Sequence, residues 1–295
     1  MRKFAKKFAA AALSLSLVFA VSTTCFGETW GSYFGADQDW YEGASGSLAN
    51  ANAVTAFTAN LETVGWGGVW GAQVFLTPET KLVNVKKGEK YTVNFKIKSS
   101  NVNKYVYVKI ATGEVLAHSF WVKVPAGTSG KTVKETFTAK ANANTVYFGL
   151  GGDVGNREDV STDEDAAIRY SVFDKQFKED HAVVLADDAN GDYTSATAIN
   201  VTNFSILPTV KFSAKSKKAK RVTVKVKKAK TGIVKSVGGY VVKVGKKTVK
   251  KNKTTITVKN KKFKSGKKVK VQVRVMDKSK KFYGPWSKAK KVKVK

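Results

Sequence analysis

Three sets of side chains in the 295-residue sequence have types and spacings suited to chemistry. The first is acidic. Asp163-Glu164-Asp165 puts three carboxyls side by side. A glycosidase needs two carboxyls about 5–10 Å apart across a cleft, whereas adjacent acids read as a solvated loop. Further on, Asp188, Asn190 and Asp192 have the first three spacings of an EF-hand-like calcium loop. Its Gly and closing Glu positions are taken by Tyr193 and Ile199, so calcium stands beside a plain acidic turn as the two readings. No other cofactor is required. His118 and His181 are far apart and sit in no metal or nucleophile motif, and there is no G-x-S-x-G elbow. The expectation is a protein that is not an enzyme.

The second set is cationic. The net charge of +31 is very unevenly distributed. Residues 28–207 carry 16 Lys+Arg against 21 Asp+Glu, whereas residues 208–295 carry 33 Lys+Arg and one acid, Asp277. That excess is far beyond the magnitude of roughly 2–8 that keeps a small domain soluble. It points to a polyanionic partner, held non-specifically and released by salt, against the plainer reading of solubility and strand-edge protection. The third set is aromatic, and it is organised by the strands that must hold it.

Those strands read with period 2. In YTVNFKIK, Tyr91, Val93, Phe95 and Ile97 fall on one face and Thr92, Asn94, Lys96 and Lys98 on the other. Val106, Val108 and Ile110 oppose Tyr105, Tyr107 and Lys109; Phe120, Val122 and Val124 oppose Trp121 and Lys123; Val146, Phe148 and Leu150 oppose Tyr147 and Gly149. Such alternation marks half-buried antiparallel strands, and breaks at Lys87-Gly88, Pro125-Ala126-Gly127 and Asn142-Ala143-Asn144 mark their turns. Many short strands of this kind predict an all-β sandwich. In GWGGVWGAQVFL, Trp70, Ala72, Val74 and Leu76 take the apolar face, leaving Gly71, Gln73 and Phe75 opposite and Trp66 in a glycine loop.

The ordered set Trp70 with Gln73, LVNVKKGEKYTVNFKIKSS, NANTVYFGLGG and INVTNFSI resembles the jelly-roll carbohydrate-binding modules of families four, nine and twenty-two. The resemblance covers most of residues 30–206. It implies a polysaccharide partner held in a cleft by aromatic stacking, with side-chain amides fixing the hydroxyl groups. On that reading Tyr105, Tyr107, Trp121 and Tyr147 form the platform, with Gly149 leaving room for a ring. Gln73 and Asn94 supply amides, and Trp66 lies at the rim. The alternative is a smaller second core of aromatic rings beneath loops. Trp30, Tyr33, Phe34, Trp40 and Tyr41 lie in an entry segment that packs on the sandwich or rims the cleft, with Trp40 the rim candidate. Two departures stand out. Thr202 occupies the position where the family often has a calcium-binding Asp, and the acidic insertion 152–198 exceeds the family's needs.

Beyond Leu207-Pro208 the pattern becomes valine alternating with lysine, as in RVTVKVKK, TTITVKN and KKVKVQVRV, which predicts six or seven strands with valines inward. This part resembles the Lys-rich fibronectin type III-like domains of secreted Gram-positive proteins, with Val269 where that family has a corner tyrosine. Trp286 reads as core or as a ring stacked under lysine stems, and not as a ligand site.

The predicted organisation is therefore a signal peptide (1–27), a carbohydrate-binding jelly roll (28–207) and a basic immunoglobulin-like, fibronectin type III-like sandwich (208–295). Arg2, Lys3, Lys6 and Lys7 precede the apolar Phe8–Val21, which is too short to cross a hydrocarbon core of about 30 Å. The lone Cys25 has Ser22, not an aliphatic residue, three positions before it, which argues against a lipid anchor. The predicted protein is secreted and cell-surface or wall associated, and not transmembrane. The basic part would hold an anionic cell-wall polymer, and export argues against nucleic acid as the main partner.

Overall fold

A computed structural model describes residues 29–34, 44–64, 72–76, 78–101, 104–113, 115–127, 129–150 and 197–295. Trp40, Trp66, Trp70, Gly71, His181, the calcium candidates Asp188, Asn190 and Asp192, and the leader lie outside them. The described elements are strands apart from two single-turn 3-10 helices, as the alternation predicts. In order come β1 (Trp30–Phe34), β2 (Ala44–Ala49), β3 (Phe57–Val64), β4 (Ala72–Leu76), β5 (Val83–Asn84), β6 (Lys90–Ser99), β7 (Lys104–Thr112), β8 (Val115–Val124), β9 (Lys131–Thr138), β10 (Thr145–Gly149) and β11 (Thr197–Pro208). They form two five-stranded antiparallel sheets, ordered β1-β4-β10-β7-β8 and β2-β3-β11-β6-β9. The chain switches repeatedly between the two sheets, so neighbours in sequence often lie in different layers.

The predicted inward faces form the core. Val93, Phe95, Ile97, Val106, Val108, Ile110, Val146 and Phe148 are all fully buried in one cluster. Its centre is a knot of rings from both layers. Trp30 lies 4.8 Å from Phe57 and 5.3 Å from Phe204, and Phe148 lies 5.1 Å from Phe57 and 5.4 Å from Phe95. Tilted and edge-to-face pairs of this kind add about 0.5–1.5 kcal/mol each beyond the area that they bury. The Trp30 indole N–H is satisfied by the Ala53 carbonyl at 2.8 Å. Trp30 is thus core, and Phe34 packs against the same cluster.

β11 explains how one chain holds two cores. Ile199 and Val201 face the first core, but so do Phe204 and Ile206, so the parity changes between them. A bulge between Thr202 and Ser205, with Asn203 in the left-handed region at φ 56°, makes that change. Leu207, on the opposite side from Ile206, then belongs to the second core. Pro208 is the last residue of β11 and pairs with Tyr91. Its missing N–H costs nothing at a strand end.

The second sandwich comprises β12 (Phe212–Lys215), β13 (Arg221–Val226), β15 (Val237–Val244), β16 (Lys247–Lys251), β17 (Thr255–Lys259), β18 (Lys268–Asp277) and β19 (Lys290–Lys293), while β14 (Gly232–Ile233) pairs with β5 of the first sandwich. The sheets are ordered β12-β13-β17 and β16-β15-β18-β19. Valines fill the space between them, among them Val222, Val224, Val242, Val244, Val271 and Val273. Both edges are tied by a lysine. Lys247 donates to the Lys259 carbonyl and Lys290 to the Phe212 carbonyl, each at 2.8 Å. Lysines at edge strands also discourage pairing with another chain.

The junction is stapled as well as shared. Ile233 enters the first core, and Asn84 donates its amide to the Lys230 carbonyl at 3.0 Å. Tyr91 and Thr231 both donate hydroxyl hydrogen bonds to Glu89. Burial, and to a smaller extent Glu89, pushes the Tyr91 hydroxyl up to about 12.

Candidate functional site

Strand register assembles the predicted aromatic set on the outer face of the β1-β4-β10-β7-β8 sheet. In one cross-strand row Tyr33 pairs with Gln73, Gln73 with Gly149, Gly149 with Tyr107, and Tyr107 with Trp121. The adjacent row runs Gly31, Phe75, Tyr147, Lys109 and Ser119. Four steps of about 4.8 Å make each row roughly 19 Å long. The rings touch one another: Tyr107 and Trp121 have centroids 5.0 Å apart, and Phe75 and Tyr147 6.1 Å. Lys109 extends its ammonium over Tyr147, 5.6 Å from the ring centre.

Exposure varies across this face. Tyr33, Gln73, Phe75 and Trp121 are half-buried, whereas Tyr107 is 1% and Tyr147 8% exposed. Tyr33 and Trp121 stand at the two ends of the first row, and the buried Tyr107 and Tyr147 lie inside the two rows. A ring presented edge or face to solvent beside an amide offers both an apolar surface and a hydrogen-bonding group.

The sequence-predicted residues therefore divide. Gln73, Tyr107, Trp121 and Tyr147 come together. The backbone of Tyr105 lies in the same strand as Tyr107, paired with Lys123. Asn94 is corrected. It lies on β6, in the other sheet, between Ser205 of β11 and Lys134 of β9, and is fully buried. Its amide donates to the Thr92 carbonyl at 3.3 Å. Alternation had assigned Asn94 to the face opposite the core correctly, but each sheet of a sandwich has such a face, and β6 belongs to the wrong one.

Tyr33, Phe75 and Lys109 complete the face and had not been singled out as site residues. For Tyr33 the signal was available: once Trp30 is core, parity sends residue 33 outward. The outer face of the second sheet has a recess of about 270 Å³ lined by Thr58, Lys98, Ser100, Gly127, Ala198 and Asn200. No ring lines it, so it has nothing to stack on a sugar.

Among the described residues no three His, Cys, Asp or Glu side chains are grouped to hold a metal ion. His118 lies inside the open edge of the first sandwich, stacked on Phe137 at 4.2 Å and hydrogen-bonded to Glu135 at 3.0 Å. Thr202 borders the bulge in β11. Among the described residues no helix is long and apolar enough to cross a membrane.

The second sandwich carries a different surface. On β18, Lys268, Lys270, Gln272 and Arg274 alternate with Val269, Val271, Val273 and Val275. The Arg274 guanidinium is held between two rings, 4.0 Å from the centre of Tyr283 and 4.4 Å from that of Trp286. Burial lowers its pKa and Tyr283 partly restores it. Trp286 is thus stacked on a cation, an arginine and not a lysine. Lys250 donates to the Tyr283 hydroxyl, which itself donates to the Lys280 carbonyl at 2.9 Å.

No family model matches the chain, and no curated protein matches it. Among solved structures it is similar to a CBM4 carbohydrate-binding module, at 16% identity over 64% of this chain and 92% of that one, with a TM-score of 0.39. It is also similar to the N-terminal cellulose-binding domain of Cellulomonas fimi β-1,4-glucanase C, at 14% identity over 62% and 91%, with a TM-score of 0.34. A third is the family 11 carbohydrate-binding module of Clostridium thermocellum in complex with a β-1,3-1,4-mixed-linked tetrasaccharide, at 12% identity over 63% and 92%, with a TM-score of 0.33. Likeness at this level adds nothing to the sandwich already described from strand order and register.

Proposed function

We propose that this is a secreted, non-catalytic carbohydrate-binding protein. The outer face of the β1-β4-β10-β7-β8 sheet takes a polysaccharide chain, of the plant type exemplified by xylan or β-glucan. One observation carries the reading: two adjacent cross-strand rows that combine Tyr33, Phe75, Tyr107, Trp121 and Tyr147 with the Gln73 amide. Sugar rings present apolar C–H faces and polar edges, and this mixture of rings with an amide matches both. The basic second sandwich, read as fibronectin type III-like on its three-plus-four strand order, holds the protein to an anionic polymer of the cell wall. Residues 1–27 would direct export.

The burial of Tyr107 favours a second reading, in which the middle of the aromatic face is a structural core and the protein is an adhesive or scaffolding one. Affinity electrophoresis through xylan, β-glucan and mannan gels separates the two. Retardation of the wild type by at least one glycan, lost in Trp121→Ala and Gln73→Ala with unchanged circular dichroism, supports sugar binding. Equal mobility in every gel supports the structural reading.

A further inference from the structure

Both outer faces of the second sandwich carry cations, but they are built differently. Lys268, Lys270 and Arg274 of β18 lie on the outer face of the four-stranded sheet. Register places Lys270 beside Lys291 and Lys268 beside Lys293 on β19, and Lys243 of β15 beside Gln272. All five lysines are exposed. Alternate residues on a strand are about 6.8 Å apart, so Lys268 and Lys270 stand one such step apart along β18 and Arg274 two steps beyond Lys270, with Gln272 between them. The domain's one acid, Asp277, does not interrupt this row. Asp277 is buried and accepts hydrogen bonds from the backbone N–H groups of Ser279 and Phe282, at 3.1 and 2.9 Å.

Arg274 heads this row and differs from the lysines. Two rings fix its plane, its Nε is buried without a hydrogen-bond partner, and it pairs with no carboxylate among the described residues. A guanidinium so stacked is immobilised before any ligand arrives, and its remaining N–H fork can take two oxygens of one anionic group. The other sheet of this sandwich makes a useful contrast. Its outer face carries Lys215, Arg221, Lys225 and Lys259, interleaved with Thr223 and Thr257, which hydrogen-bond to each other at 3.2 Å, but no arginine there is stacked between rings.

We propose that the outer face of the β16-β15-β18-β19 sheet binds a linear polymer of phosphodiester-linked polyol units, with Arg274 clamping one phosphate and the lysines following the next ones. This rests on the reading of the basic sandwich as an attachment to anionic polymer, and it gives that attachment a position and a chemistry. Phosphate is favoured over carboxylate because lysines, which act as point charges on tetrahedral phosphates, far outnumber the planar forks suited to carboxylates.

The test uses the full chain and poly(glycerol phosphate) as probe, with polygalacturonate and single-stranded DNA as competitors. Wild type is expected to bind the probe more tightly than either competitor. Arg274→Lys keeps the charge and should weaken binding about tenfold with an unchanged salt slope, because only the fork is lost. Lys270→Gln should weaken it less and reduce the slope by about one. Arg221→Gln/Lys225→Gln, on the other sheet, should change little. Arg274→Gln and thermal melting monitor the packing of the two rings. Equal losses from changes on either sheet, or tighter binding of polygalacturonate or DNA, would overturn this proposal while leaving polyanion attachment standing. Binding of none of the three polymers would overturn the attachment itself.

Discussion

Alternate residues of β7, Tyr107 and Lys109, turn away from the first core; alternate residues of β18, Lys270, Gln272 and Arg274, turn away from the second. Both strands obey the same period-2 rule, with valines on the inner side. The difference lies in what the outer row carries. On the first sandwich the rings lie against one another and against a lysine stem, and the face is largely desolvated at its middle. On the second, lysines stand in water and only Arg274 is clamped. A face of rings selects ligands by shape and apolar contact; a face of ammonium groups selects them by charge. The comparison teaches that one folding grammar leaves the outer positions open to two unrelated recognition chemistries within a single chain.

Salt should separate the two most strongly. If about six phosphates are neutralised, polyanion affinity falls on the order of a thousandfold between about 50 and 200 mM salt. Binding of an uncharged glycan to the aromatic face should stay constant over the same range. Parallel titrations by calorimetry check this, and a shared salt dependence would show that one surface serves both ligands. The next effect is local. Trp121→Ala should weaken glycan binding about tenfold to a hundredfold and leave polyanion binding intact, whereas Arg274→Lys should do the reverse.

The junction bears on whether the two faces belong to one rigid body. Gly232 has φ 75°, and a Cβ there would collide with the Ile206 carbonyl of β11. Gly232→Ala should therefore destabilise by about 1–3 kcal/mol and lower the melting temperature of both sandwiches together. Two separated transitions would mean that the cores unfold independently. The smallest expected effect concerns Tyr91. Its hydroxyl stays protonated in the folded chain up to about 12, whereas the unfolded chain loses that proton near the ordinary value of 10.0. The folded state then holds more protons between these values, so its stability falls as pH rises through them. The stability gap between wild type and Tyr91→Phe should narrow from pH 10 to 12 in urea titrations, and a gap that widens would contradict the assigned environment.

Much of this was legible in the sequence, for a physical reason. Alternation reports burial directly, so the inner faces of β6, β7 and β10 could be read residue by residue. So could the grouping of Tyr107, Trp121 and Tyr147, since each sits opposite a valine or phenylalanine. Asn94 shows the limit. Parity tells which side of its own sheet a residue takes, but the choice of sheet depends on long-range pairing that no local pattern encodes. β11 shows another. A single left-handed residue, Asn203, reverses parity in mid-strand and lets Ile206 and Leu207 serve different cores, so the compositional break at Leu207-Pro208 falls within a shared strand. The Arg274 clamp was hidden for the same reason as Asn94. Arg274, Tyr283 and Trp286 meet only after β18 and the segment leading to β19 have folded against each other.

The central claim is that the rings on the outer face of the β1-β4-β10-β7-β8 sheet touch a polysaccharide. Hydroxyl-radical footprinting of the full chain, with and without the glycan that retards it most, reads this directly. The account predicts that oxidation of Trp121, Tyr33 and Phe75 falls several-fold on binding while Tyr283 and Trp286 keep their rates. Unchanged oxidation of all three, with binding retained, would contradict it.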